Sequence, residues 1–241
     1  MPSIIHILPE SLASKIAAGE VVQRPASVAK ELLENALDAG SSRIVVSVKD
    51  GGKSFIQVAD DGCGMGAEDA RTAFARHATS KISSYSDLEN IQTLGFRGEA
   101  LYSVAAVSHV ELKTKTPSDE VGTLIRIEGG SLGETSKVAM QPGTTVTVKN
   151  LFYNVPARRN FLKSTLSEFR HVSDSTQRIV LSRNELTLSF LSNDEKVLDV
   201  KPETLEGRLK SVFGGRFVES LIELREKSEF LEIHGYCTKA R

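Results

Sequence analysis

Several things are scarce in this 241-residue chain, and each scarcity removes a class of protein. There are two cysteines, Cys63 and Cys237, far apart and with no CxxC pair. That excludes a disulfide framework and a cysteine zinc site, and it suits a reducing compartment. Net charge is nearly absent too, with 30 Lys+Arg against 31 Asp+Glu. No global basic field advertises nucleic acid. No stretch approaches the roughly 20 apolar residues of a membrane span. The N-terminal "MPSIIHILPESLASKIAAGE" has no basic region leading into a long apolar run. The expectation is a soluble, cytoplasmic protein with no membrane partner. Two phosphate-binding signatures are missing as well, GxxxxGK[ST] and GxGxxG, so any nucleotide site must be of another kind.

What is present is a chain 40% hydrophobic and 25% charged, which has the balance and length of a globular protein with a sizeable core. Short apolar periodicities predict helices over 11–18, 25–39, 66–78 and 166–182. Strands are predicted over 43–49, 54–62 and 185–194, the first two joined by a turn at "DGGK" (50–53). Between them, 121–150 alternates strands with Gly-rich turns. Hairpins and helices are mixed rather than repeated as βαβ units. The fold class expected is therefore α+β, with helices packed on a mixed, mostly antiparallel sheet. Near "KPETLEGRLKSVFGG" (201–215) a new unit begins, and "SLIELREKSEFLEIHGYCTKA" after it reads as one hairpin. A hairpin is marginal alone, so the division expected is 1–202 and 203–241, the second unit cut short.

The polar side of the 25–39 helix is unusual. Val28, Ala29, Leu32, Leu33, Ala36 and Leu37 fill one half of its surface. Glu31, Asn35 and Asp38 lie within about 60° of one another on the other half. A solvated face explains them well enough in isolation. Yet asparagine is a poor helix former, and an amide oxygen beside a carboxylate suits hydrated Mg²⁺, which takes few protein oxygens. A neighbouring carboxylate can accept a proton from water.

Further along, "VADDGCGM" (58–65) delivers Asp60 and Asp61 from a strand into a turn with Gly62 and Gly64. Glycines there allow close approach of a ligand, though Asp and Gly also make ordinary turns. "RHATSKI" (76–82) offers hydroxyls and a lysine. "TLGFRGEAL" (93–101) is a GxxG turn opening a helix, where free N–H groups favour phosphate. "QPGTTV" (141–146) puts Thr144 at the start of a strand, from which its hydroxyl can join Asp60. "PARRNFLK" (156–163) is basic, and it suits either DNA phosphates or a loop packing two domains. Each signal alone is weak; their order is the informative part.

That order, E-x-x-x-N, D-x-G-x-G, a hydroxyl and lysine segment, G-x-x-G and G-T, resembles the Bergerat-fold (GHKL) ATPases. Within them, "IAAGEVVQRPASVAKELLENALDAG", "DDGCGM", "ARHATSKI", "LGFRGEAL" and "LFYNVPARRNFL" are similar to the N-terminal part of the MutL family. The resemblance covers essentially the whole chain and is densest over 12–161. It implies a Bergerat-fold sandwich, followed by the start of a second domain like domain 2 of ribosomal protein S5. It implies ATP and Mg²⁺ as cofactors. Glu31 would be the general base and Asn35 the Mg²⁺ ligand. Asp60 would read the adenine amino group, with Gly64 and Thr144 in the same pocket. Thr79, Ser80 and Lys81 would line the nucleotide, and Gly95, Phe96, Arg97, Gly98 and Glu99 would form a lid turn over the triphosphate. Asp38 would position Asn35 or a nearby N–H rather than touch nucleotide, Asp61 receives no direct role, and His77 reads as structural.

The same resemblance implies a mismatch-repair matchmaker. ATP binding would pair two protomers into a clamp, with the mismatch-recognition protein MutS and the DNA backbone as further partners, and hydrolysis would reopen it. The alternative is a nucleotide-gated scaffold whose hydrolysis is incidental. Turnover by this length of chain is expected to be weak or absent.

Overall fold

The computed structural model describes residues 6–238. Its elements run in the order α1 (Glu10–Val21), α2 (Pro25–Asp38), β1 (Arg43–Lys49), β2 (Phe55–Asp60), α3 (Ala67–Thr72), α4 (Tyr85–Glu89), α5 (Ala100–Ala106), β3 (His109–Lys115), β4 (Gly122–Glu128), β5 (Ser131–Val138), β6 (Gly143–Lys149), α6 (Pro156–Asn160), α7 (Thr165–Ser182), β7 (Thr187–Ser192), β8 (Glu195–Val200), α8 (Leu205–Phe213), α9 (Gly215–Val218), β9 (Leu221–Lys227) and β10 (Glu232–Thr238). The first eight strands form one sheet in the order β5-β4-β3-β6-β2-β1-β7-β8. Every neighbouring pair is antiparallel except β1 with β7. This is the mixed, mostly antiparallel α+β arrangement expected from the sequence.

Alternation builds the core. Ile44, Val46 and Val48 of β1, Ile56 and Val58 of β2, Val110 and Leu112 of β3 and Leu188 and Phe190 of β7 are buried on one face of the sheet. The helices bring Val28, Ala29, Leu32, Leu33 and Ala36 of α2, Val104 of α5, and Val172 and Val180 of α7 against them. Cutting Leu33 or Ile44 back to a smaller side chain would cost about 1–5 kcal/mol, because such cores do not collapse fully around a void. Pro25 occupies the first turn of α2, where its missing N–H is no loss.

One local expectation shifts, and the expected turn between β1 and β2 takes a definite form. The helix predicted over 66–78 ends at Thr72, and the chain from Ala73 to Ala78 closes irregular turns. The "DGGK" turn is a short 3₁₀ turn over Asp50–Gly52. Strand β8 and the short helices α4, α6 and α9 are additions that the sequence reading did not specify.

The segment from 203 onward is fastened by Arg208, with Val212 packed against the core and the Glu203 N–H bonded to the Asn184 carbonyl at 3.0 Å. Arg208 of α8 is fully buried and donates to the carbonyls of Val180, Asn184, Leu186 and Lys201 at 2.9–3.3 Å. Its guanidinium also pairs with Glu203 at 2.9 Å. Beyond α9, β9 and β10 pair antiparallel as a separate two-stranded sheet, the hairpin expected there; the last three residues of the chain lie outside the described ones.

Candidate functional site

The site is built where β2, β3 and β6 lie side by side under the C-terminal half of α2. The ladder places Asp60 opposite Thr144, and Thr144 opposite Thr114. The Thr114 and Thr144 hydroxyls are 3.0 Å apart and both are buried. Thr114 also accepts the Met65 N–H at 2.9 Å, which fixes the loop after Asp60. Asp60 accepts the Gly62 N–H at 2.9 Å. Burial pushes its carboxyl up to about 6, and the nearby Asp61 adds to the rise, against hydrogen bonds from Gly62 and Thr144. A half-desolvated carboxylate with acceptor capacity to spare is well suited to an exocyclic amine, since a hydrogen bond to a charged group is worth about 1.5–3 kcal/mol.

Gly64 has φ +67, and a Cβ on it would stand 2.0 Å from the Lys115 carbonyl. No other residue type fits that crossing of loop and strand, so the "DDGCGM" turn can lie flat against the end of β3. Asp61, by contrast, is tied away from the pocket. Its carboxylate accepts from Ser42 N, Ser42 Oγ and Arg43 N at 2.7–2.8 Å. Partial burial opposes ionisation there, but those bonds prevail and hold the carboxyl below its ordinary range.

The polar stripe of α2 opens toward the lid. Asn35 Oδ1 accepts the Lys81 ammonium at 2.9 Å, and Asp38 Oδ2 accepts it at 2.6 Å. Asp38 further accepts the N–H groups of Leu94 at 3.0 Å and Gly95 at 3.2 Å. Burial works against the Asp38 charge, yet Lys81 and the two amides outweigh it and keep the carboxyl below the usual value. Glu31 is about one-quarter exposed, with Lys30 at 3.6 Å. An amide oxygen that already serves a cation, with a carboxylate one turn away, matches the few oxygens magnesium takes from protein when phosphate and water supply the rest.

The lid itself is a loop around the short α4. Gly98, at φ +64, packs so tightly on Ala78 that a Cβ would meet its carbonyl oxygen at 2.4 Å. This contact locks "GFRGE" onto "RHATSKI". Glu99 pairs with His77 at 3.3 Å, and the Arg97 guanidinium lies 5.7 Å from the Phe96 ring centroid. Thr79, Phe96, Arg97 and Glu99 line an open cavity with His77 and Tyr85. Thr79 accepts the Lys81 N–H at 3.2 Å. Ser80 is exposed.

Thus Asp60, Gly64 and Thr144 are gathered at one end, and Glu31, Asn35, Lys81 and the Gly95–Glu99 turn at the other. Two participants carried no motif. Thr114 continues the inward-facing series Val110, Leu112, Thr114, so a polar residue at a core position was its available signal. The tie from Asp38 to the lid had none, because it spans the fold. The basic "PARRNFLK" run is partly internal: Arg158 donates to the Val22 carbonyl and lies 4.2 Å from the Phe152 ring centroid.

These elements define a class. The sequence profile of the histidine kinase-, DNA gyrase B- and HSP90-like ATPases matches residues 20–151, which runs from the end of α1 through β6. Among curated relatives, the DNA mismatch repair protein MutL of Chlorobium phaeobacteroides is 52% identical over 99% of this chain and 38% of that protein. The MutL of Christiangramia forsetii is 49% identical over 99% of this chain and 39% of that protein. Among solved structures, the Aquifex aeolicus MutL ATPase domain complexed with ADP superposes with a TM-score of 0.68 at 30% identity, covering 86% of this chain and 73% of that one. The N-terminal domain of a DNA repair protein reaches a TM-score of 0.76 at 24% identity, over 97% of this chain and 74% of that one, which speaks for the fold alone. The chain belongs to the MutL family of DNA mismatch repair proteins and carries its GHKL-type ATPase domain. It spans 38–39% of the length of the curated relatives just named. Among the described residues, no helix is long and apolar enough to cross a membrane.

Proposed function

We propose that the chain binds Mg·ATP between the β2–β6 end of the sheet and the 76–99 lid, and that ATP is hydrolysed there in the service of mismatch repair, weakly or not at all by this length of chain alone. The observation that carries this reading is the placement of a partly buried carboxylate, Asp60, opposite Thr144 on neighbouring strands, together with the tie of Asn35 and Asp38 through Lys81 to the glycine turn. Asp60 reads the adenine amino group, Thr144 shares that pocket, and Gly64 admits the base. Thr79, Ser80 and Lys81 line the nucleotide. Main-chain N–H groups of Gly95, Phe96, Arg97, Gly98 and Glu99 face the phosphates. Asn35 is the protein ligand for magnesium, which when bound neutralises phosphate charge as the γ-phosphoryl departs. Glu31 accepts the proton of a water as its oxygen attacks the γ-phosphorus and the bond to ADP breaks.

The wider role belongs to the same proposal. Nucleotide orders the lid and the N-terminal segment, the first five residues of which lie outside the described ones. Two protomers then pair into a clamp on DNA, in concert with MutS in the cytoplasm, and hydrolysis reopens it. Residues 203–241 begin a second domain of the kind found in ribosomal protein S5.

Glu31→Ala tests the chemistry. In the longer protein that carries this domain, phosphate release in a single-turnover assay should fall by about 10²-fold or more, with nucleotide affinity little changed. Unchanged hydrolysis would remove Glu31 from the mechanism.

A further inference from the structure

Three elements converge on the Lys81 ammonium. It bonds Asn35 and Asp38 on α2 at 2.9 and 2.6 Å. The lid turn comes so close that a Cβ on Gly95 would lie 3.3 Å from Nζ, and the same turn hangs on Asp38 through the Leu94 and Gly95 amides. The Lys81 side chain is 18% exposed and that of Asp38 is 8% exposed. This is a sheltered pair, unlike the surface ion pairs that contribute little.

Asn35 Oδ1, the acceptor of that ammonium, is also the atom that the proposed function gives to magnesium. A carboxamide oxygen has two lone pairs. A divalent ion on the second would still lie only a few ångströms from the ammonium, and like charges repel strongly at such range away from bulk water. The two cations therefore exclude one another. A lysine is well made for yielding, being a compact charge on a flexible stem, and the phosphates that arrive with the metal offer it a new partner.

We infer that Lys81 is a tethered counter-cation. Without metal it holds the magnesium position and braces the Asp38 carboxylate that carries the lid turn; loading with Mg·nucleotide displaces it toward the phosphates. The inference rests on the reading of Asn35 as the metal ligand, and it adds a regulatory exchange to that site.

The test is binding of a fluorescent mant-ADP to the full chain, in EDTA and across a magnesium titration, for the native sequence, Lys81→Met, Lys81→Arg and Asn35→Ala. Lys81→Met should weaken binding in EDTA by about tenfold or more, the loss of a charge-assisted hydrogen bond. The loss at saturating magnesium should be severalfold smaller than in EDTA, and the magnesium concentration at half-effect should fall severalfold. Lys81→Arg should restore binding in EDTA. In the absence of nucleotide, hydrogen exchange at Leu94 and Gly95 should quicken in Lys81→Met. An equal loss of affinity with and without magnesium would make Lys81 a plain phosphate ligand and overturn the inference, as would an unmoved magnesium midpoint. If Asn35→Ala keeps the native magnesium dependence, the assignment of the metal to Asn35 fails, and the inference fails with it. Melting curves confirm that each variant is folded.

Discussion

The carboxylate of Asp38 accepts the amide hydrogen of Leu94 at 3.0 Å across 56 residues of chain. Through this bond a helix anchored in the core holds a loop that is otherwise mostly exposed. Asp38→Ala removes the acceptor for Leu94, Gly95 and Lys81 together. The expected outcome is at least about tenfold faster hydrogen exchange at the two amides, from bonds worth about 1.5–3 kcal/mol when an ion takes part, with α2 itself intact because alanine favours helix. Because the Asp38 carboxyl sits below its ordinary value of 3.8, this tether is fully present at pH 5 and above. It weakens only as acid protonates the folded form.

Asp60 has the opposite sign. Its carboxyl is raised from 3.8 to about 6, so its contribution to stability is fully present below 3.8 and is lost as pH rises through about 6. The displacement amounts to about 3 kcal/mol. An adenine amino group donates to the ionised form, so nucleotide binding should expel a proton and tighten as pH rises from 5 to 7. Isothermal titration in buffers of different ionisation enthalpy measures that proton directly. In Asp60→Asn, which cannot ionise, the pH dependence should flatten and binding should weaken.

Gly64→Ala places a methyl group against the Lys115 carbonyl in a left-handed conformation. Strain and clash together should cost about 2–4 kcal/mol, a fall of about 4–16 °C in melting temperature for a chain of this size. Gly66→Ala, whose Cβ meets open space, is the control and should melt within a degree or two of the native chain.

The arginines of "PARRNFLK" separate packing from nucleic-acid binding. Arg158→Ala loses the contact with Phe152 and the bond to the Val22 carbonyl; a cation–π contact and a partly buried hydrogen bond together predict a loss of about 1–3 kcal/mol in denaturant melts. Arg159 is exposed, and Arg159→Ala should leave stability unchanged. Equal melting of the two variants would contradict a structural role for Arg158.

The elements most legible in the sequence were those whose signals are local. Helix α2 announced itself through Pro25, an apolar half-surface and Gly40, and β1 with β2 through β-branched alternation. The stripe of Glu31, Asn35 and Asp38 was equally visible, because helical geometry alone aligns those positions. What stayed hidden depended on distant chain. The helix expected over 66–78 stops at Thr72, and the residues that follow are held instead by Gly98 against Ala78 and Glu99 against His77. Neither contact has a periodic signature. Asp60 and Thr144 could be named separately, but their adjacency is a matter of strand register, and Thr114 between them and the Met65 loop belonged to no motif.

The thermal shift of the chain with Mg·ATP tests the adenine pocket most directly. The native chain should melt several degrees higher at saturating nucleotide, since a ligand at about a hundred times its dissociation constant adds about 2.7 kcal/mol, and Asp60→Ala should lose that shift while keeping a folded baseline. An equal shift in Asp60→Ala, or none in the native chain, would contradict the placement of the adenine pocket at the junction of β2 and β6.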